Sequence, residues 1–102
     1  MESDKKCGGI EDPQPADAKV QTICDSVKSE VEKLTGENYK IFRALSYKKQ
    51  LVAGMNYFIE VFIGGDKYLE VDVFWGLIDT NREPVVLRVL EISKTIVPLN
   101  PK

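Results

Sequence analysis

The chain has 102 residues, 43% hydrophobic and 29% charged, with a net charge of −2, the profile of one globular domain over 1–102 rather than two. Slight acidity without a basic patch argues against a nucleic-acid binder and gives little attraction to an anionic membrane surface. No stretch approaches the roughly 20 apolar residues of a transmembrane helix, and the polar start Met1-Glu2-Ser3-Asp4 does not read as a secretory leader, which points to the cytoplasm.

Residues 1–16 hold Gly8, Gly9, Pro13 and Pro15 among charges and read as an extended or disordered arm. The charge is uneven: residues 1–18 carry −3 and the rest +1. A helix is expected over 17–35, because Val20, Ile23, Cys24, Val27, Val31 and Leu34 recur at steps of three and four and share one face. Lys19, Asp25, Lys28 and Glu32 take the other face, Asp17 fits the N-cap, and Gly36 ends the run. Cys24 on the apolar face reads as a small buried hydrophobe, whereas Cys7 sits in the arm; their separation matches no zinc or redox signature.

Strands follow. Residues 39–52 are rich in aromatic and branched side chains. Over 56–63, Tyr57, Ile59, Val61 and Ile63 alternate with Phe58, Glu60 and Phe62. Gly64-Gly65-Asp66 is a hairpin signal. Over 67–77, Leu69, Val71, Val73 and Trp75 alternate with Tyr68, Glu70, Asp72 and Phe74. A longer turn spans 78–84, a last strand 85–92, and a loose tail with Pro98 and Pro101 occupies 94–102. Short turns imply an antiparallel meander, and one amphipathic helix needs one sheet face, so the class is α+β with four strands packed on a helix.

The chemistry of an enzyme is not written in the chain. There is no histidine, which removes Ser/His and Cys/His nucleophile–base pairs and the commonest metal ligand. Neither phosphate-cradling glycine motif occurs. Glu60, Glu70 and Asp72 fall at alternating strand positions, where a solvated sheet face accounts for them. The sequence calls for no cofactor and no metal.

One feature is not absorbed by the core pattern. In a meander, the turn near Ala53-Gly54 and the turn over 77–84 lie at one end of the sheet, and Gly64-Gly65-Asp66 lies at the other. The first end is apolar: Gln50-Leu51-Val52-Ala53-Gly54 runs greasy residues into the bend, and Leu77-Ile78 opens the neighbouring turn. Leu51 and Val52 either finish a strand and point into the core, or form an exposed tip that a partner covers.

Gln50-Leu51-Val52-Ala53-Gly54 resembles the cystatin signature Gln-x-Val-x-Gly, and the run from Tyr47 to Ile59 is similar to its stefin (type 1) form. Cys7-Gly8-Gly9-Ile10 resembles the stefin arm, Val27-Lys28 and Glu30 sit in a stefin-like helix, and Lys67-Tyr68 leads into Val73-Phe74 as in stefins. The resemblance spans about residues 7–90. It implies a sheet wrapped around one long helix, and tight, reversible inhibition of papain-like cysteine peptidases such as papain and the lysosomal cathepsins. By this likeness the arm, hinged at Gly8 with Gly9 behind it, occupies non-primed subsites and turns Lys6 and Cys7 toward the specificity pockets. Gln50, Leu51, Val52, Ala53 and Gly54 cover the catalytic centre, and Leu77 and Ile78 touch the primed side. It also implies a monomer able to exchange halves with a second copy by opening the first hairpin.

The sequence departs from the family in three places. Leu77-Ile78 stands where the family has Leu-Pro, residues 93–102 lack the aromatic residues of stefin tails, and Trp75 is unusual and expected to be partly buried rather than a contact. The alternatives are a non-inhibitory protein-interaction module on the same fold and a small-molecule or enzymatic domain, which would need an interior cavity lined by convergent polar groups.

Overall fold

A computed structural model describes residues 9–52, 54–76 and 83–93. Lys6, Cys7, Gly8, Ala53, Leu77 and Ile78 lie outside the described residues, as do most of the 78–84 turn and the 94–102 tail.

Helix α1, Ala18–Thr35, forms where the three-and-four spacing requires it. Asp17 Oδ1 accepts from the Val20 N–H at 2.9 Å, and the Gly36 N–H closes the far end on the Glu32 carbonyl at 2.8 Å. Both caps satisfy backbone groups that the helix leaves unpaired. Val20, Ile23, Cys24, Val27 and Val31 are buried, each such aliphatic side chain contributing about 1.5–3 kcal/mol. Leu34 departs from expectation. It is 57% exposed, because the buried stripe stops at Val31, one turn before the helix ends.

The strands are β1 (Gln14–Pro15), β2 (Arg43–Leu51), β3 (Gly54–Gly64), β4 (Lys67–Gly76) and β5 (Val85–Ser93). They form one antiparallel sheet in the order β1-β2-β3-β4-β5. The α+β class stands as expected, with one strand more. The arm supplies β1, which pairs Gln14 with Tyr47 and Pro15 with Ser46. β2 starts later than residue 39, because the end of the helix holds that region. The Tyr39 N–H donates to Glu32 Oε2 at 2.9 Å, its hydroxyl to Thr35 Oγ1 at 2.8 Å, and its ring stacks on Phe42 at 5.6 Å.

The inward set follows the alternation. Tyr57, Ile59 and Val61 of β3 and Leu69, Val71 and Val73 of β4 meet the helix stripe, joined by Ala44 and Tyr47 of β2. Between Ala44 and Ser46 the register of β2 shifts. Near this irregularity Gln21 of α1 acts as a surrogate peptide unit. Its Nε2 donates to the Phe42 carbonyl at 3.1 Å and its Oε1 accepts from the Ala44 N–H at 2.8 Å, so backbone groups that an edge would strand are paired.

The opposite face of the sheet corrects one expectation. Asp72 is not solvated; it is 3% exposed. It is short, and its cross-strand neighbours Phe58 and Arg88 are long. Arg88 Nε donates to Asp72 Oδ2 at 2.9 Å, while Oδ1 is buried and, among the described residues, meets no donor as long as Glu70 is ionised. Glu70, next along the same face, takes a proton more readily than an ordinary glutamate. Its hydrogen bond to Asp72 is the main cause, then burial and the Asp72 charge, with Lys48 and Arg88 opposing.

Candidate functional site

The arm reaches the first hairpin by running antiparallel along β2. The Ala16 N–H donates to the Leu45 carbonyl and the Glu11 N–H to the Lys49 carbonyl, each at 2.9 Å, and Ile10 forms a bridge with Gln50. The Tyr47 hydroxyl donates to Gln14 Oε1 at 3.3 Å. This pairing direction carries Gly9 to the level of Leu51. Proline suits such a strand because an edge leaves one row of N–H positions unused.

At the tip, Gln50 pairs with Asn56 and Leu51 with Met55, and the Val52 N–H closes on the Gly54 carbonyl at 2.9 Å. Leu51 is 46% and Val52 42% exposed. Of the two readings open at the level of sequence, the exposed tip is therefore the one realised. Asn56 Nδ2 donates to Gln50 Oε1 at 3.0 Å, which ties the glutamine side chain down across the hairpin.

Gly54 does a different job from its neighbours. It is buried, and a Cβ there would sit 2.7 Å from the Phe74 ring and 2.8 Å from both the Gly76 Cα and the Trp75 carbonyl oxygen. No side chain fits without moving the backbone of β4. The glycine thus lets two strands close together beneath the tip rather than touching anything outside. Its partner in register is Gly76, so β4 ends directly beside the first hairpin. The chain enters 77–82 from that same end, and the Gly64-Gly65 turn lies at the other.

The structure brings together Gly9, Gln50, Leu51, Val52 and Gly54 of the expected set. Sequence reasoning missed Asn56 and Ile10. Asn56 was signalled by its place six residues after Gln50 across a short turn. Ile10, 54% exposed beside Gln50, was signalled as the one branched aliphatic residue of the arm.

The arrangement offers shape and apolar contact rather than reacting groups. Among the described residues no three His, Cys, Asp or Glu side chains gather to hold a metal. The Cys24 thiol is sealed in the core, and burial, helped by the Asp25 charge, pushes its pKa up to about 12, so it is no nucleophile. The described helix is not long and apolar enough to cross a membrane.

Known proteins with this pattern agree with one another. A model of the Cystatin domain matches residues 8–83. The chain is 42% identical over 96 residues to Cystatin-A1 of Sus scrofa, covering 93% of this chain and 92% of the relative. It is 38% identical over 96 residues to Leukocyte cysteine proteinase inhibitor 1 of Sus scrofa, with the same coverage of both chains. It is 42% identical over 88 residues to Cystatin-B of Bos taurus, covering 86% and 89%. With a family model matched over most of its length and the antiparallel sheet and helix α1 in place, this chain belongs to the cystatin family, as a type 1 (stefin) member.

Proposed function

We propose that this protein inhibits papain-like cysteine peptidases by plugging the active-site cleft with its arm and the apolar end of its sheet. The observation that carries the reading is the pair Leu51 and Val52, roughly half exposed at a hairpin tip that the arm reaches through the Ile10–Gln50 bridge. Apolar side chains held out on a stiff hairpin cost solubility in the free protein and gain free energy once a cleft desolvates them. The scaffold beneath is pre-ordered by the Asn56–Gln50 bond and the Gly54–Gly76 approach, so little conformational entropy is lost on binding.

In this reading Gly8 and Gly9 let the arm pass close to the enzyme backbone, with Cys7 facing a specificity pocket. Gln50, Leu51, Val52, Ala53 and Gly54 form the central tip, and Leu77 and Ile78 extend it on the primed side. Inhibition is steric: nothing in the tip attacks or is attacked, and the catalytic thiolate is covered rather than modified. Papain and lysosomal cathepsins are the partners to test, with the protein acting from the cytoplasm as a monomer. Titration of active papain should abolish peptidase activity near one-to-one stoichiometry. Full activity at micromolar concentrations of the protein would refute the proposal.

A further inference from the structure

The face of the sheet that meets the helix does not end where the helix ends its cover. Along it, burial falls toward the tip: Ile59, Val71 and Val73 are fully buried, Tyr57 nearly so, and Met55 and Trp75 only partly, packed against the edge of the core. Leu51 is opposite Met55, and Met55 is opposite Trp75. The three side chains therefore form one cross-strand row on one face. That row sits immediately beneath Val52 and beside Gly54 and Gly76.

We propose that this row is a flank of the peptidase-binding surface and that Trp75 is its anchor, a specificity-determining residue that adds a wall contact to the tip contacts. This rests on the inhibitory reading above. Three features argue for it. Tryptophan presents up to about 250 Å² of surface with only two side-chain torsions to restrict, which makes it the side chain most favoured at binding hot spots. Here its inner edge is already fixed on the core beside Met55, so its remaining surface is offered in a set position. And it is continuous with Leu51, the more exposed end of the same row, so a cleft that accepts the tip meets the flank next. A peptidase with a close, apolar wall on that side is favoured, and one with a charged or recessed wall is not.

The chain has a single tryptophan, which makes the test direct. Protein grown with 5-fluorotryptophan gives one fluorine NMR resonance, and unlabelled papain is silent. Addition of papain up to one equivalent should move that resonance and reduce its H2O/D2O isotope shift, since the indole loses water. In parallel, Trp75→Ala should weaken papain inhibition about thirtyfold and Trp75→Phe only a few-fold, with folding of both checked by thermal melts. A resonance and isotope shift that stay at their free values while papain activity is abolished overturn this proposal and leave the inhibitory reading standing. Failure of the unsubstituted protein to inhibit papain at all brings down both. Should Trp75→Ala not fold, the fluorine measurement on the unsubstituted sequence decides alone.

Discussion

The two ends of the sheet both turn on glycine, for opposite reasons. At the Gly64-Gly65 end the backbone is left-handed, with φ of 114° and 61°, and open space surrounds the missing Gly65 side chain. These glycines answer a conformational demand of the turn. At the Gly54–Gly76 end Gly54 has no such φ, but backbone atoms stand 2.8 Å from where its Cβ would be. This glycine answers a demand for space. The polar end needs only to reverse the chain. In the proposed reading the apolar end must also hold the arm and the first hairpin close enough to act as one surface.

The largest effect that sharpens this contrast should come from Gly54→Val. It forces β3 from β4, costs about 2–3 kcal/mol by overpacking, and reduces papain inhibition at least a hundredfold; urea unfolding and a papain titration measure the two. Leu51→Glu combined with Val52→Glu should separate them. Both side chains are exposed, so the unfolding midpoint stays within the ±0.5 kcal/mol usual for surface changes, while inhibition weakens by about thirtyfold or more. Gly65→Ala is the control at the far end. It should cost about 1–2 kcal/mol for a left-handed non-glycine residue and leave inhibition unchanged. A clear loss of inhibition in that variant would break the division between the ends.

The smallest effect lies between the ends, on the face away from the helix. Glu70 binds its proton more tightly in the folded state, chiefly through its hydrogen bond to Asp72. A group with a raised folded pKa contributes stability that is full below its unfolded pKa and is lost as pH rises through the folded one. Glu70→Gln keeps a donor for Asp72 at every pH. Glu70 is only partly buried, so solvent screens the effect, and the variant should melt only slightly above the unsubstituted protein at neutral pH, with a gap that shrinks toward zero on acidification. A gap that widens in acid would show that the Asp72 contact has been given the wrong sign.

Much of this was legible in the sequence because the physics was local. The three-and-four spacing from Val20 to Val31 and the period of two through β3 and β4 are read directly from side-chain geometry, as are Asp17 and Gly36 at the helix ends. The parts that were not legible depend on distant partners. Gln14 and Pro15 have no strand pattern of their own and become β1 only because β2 offers a free edge. Asp72 looked like any outward carboxylate until Phe58 and Arg88 were placed across from it. The motif from Gln50 to Gly54 pointed to the tip, but pattern alone did not settle whether Leu51 and Val52 face in or out. That depends on where the last strand pair falls, which is set by Leu51 meeting Met55.

Cys24, fully buried at the centre of the helix stripe, gives the protein a built-in clock for its own breathing. Its sulfur can meet an alkylating reagent only when α1 lifts off the sheet, and the raised pKa holds it protonated until then. The rate of iodoacetamide labelling at that site, followed by peptide mass spectrometry, therefore counts opening events. If a bound peptidase clamps the sheet end without touching the helix, labelling should slow by the same factor as the gain in global stability, which separates tightening of the whole domain from mere covering of its tip.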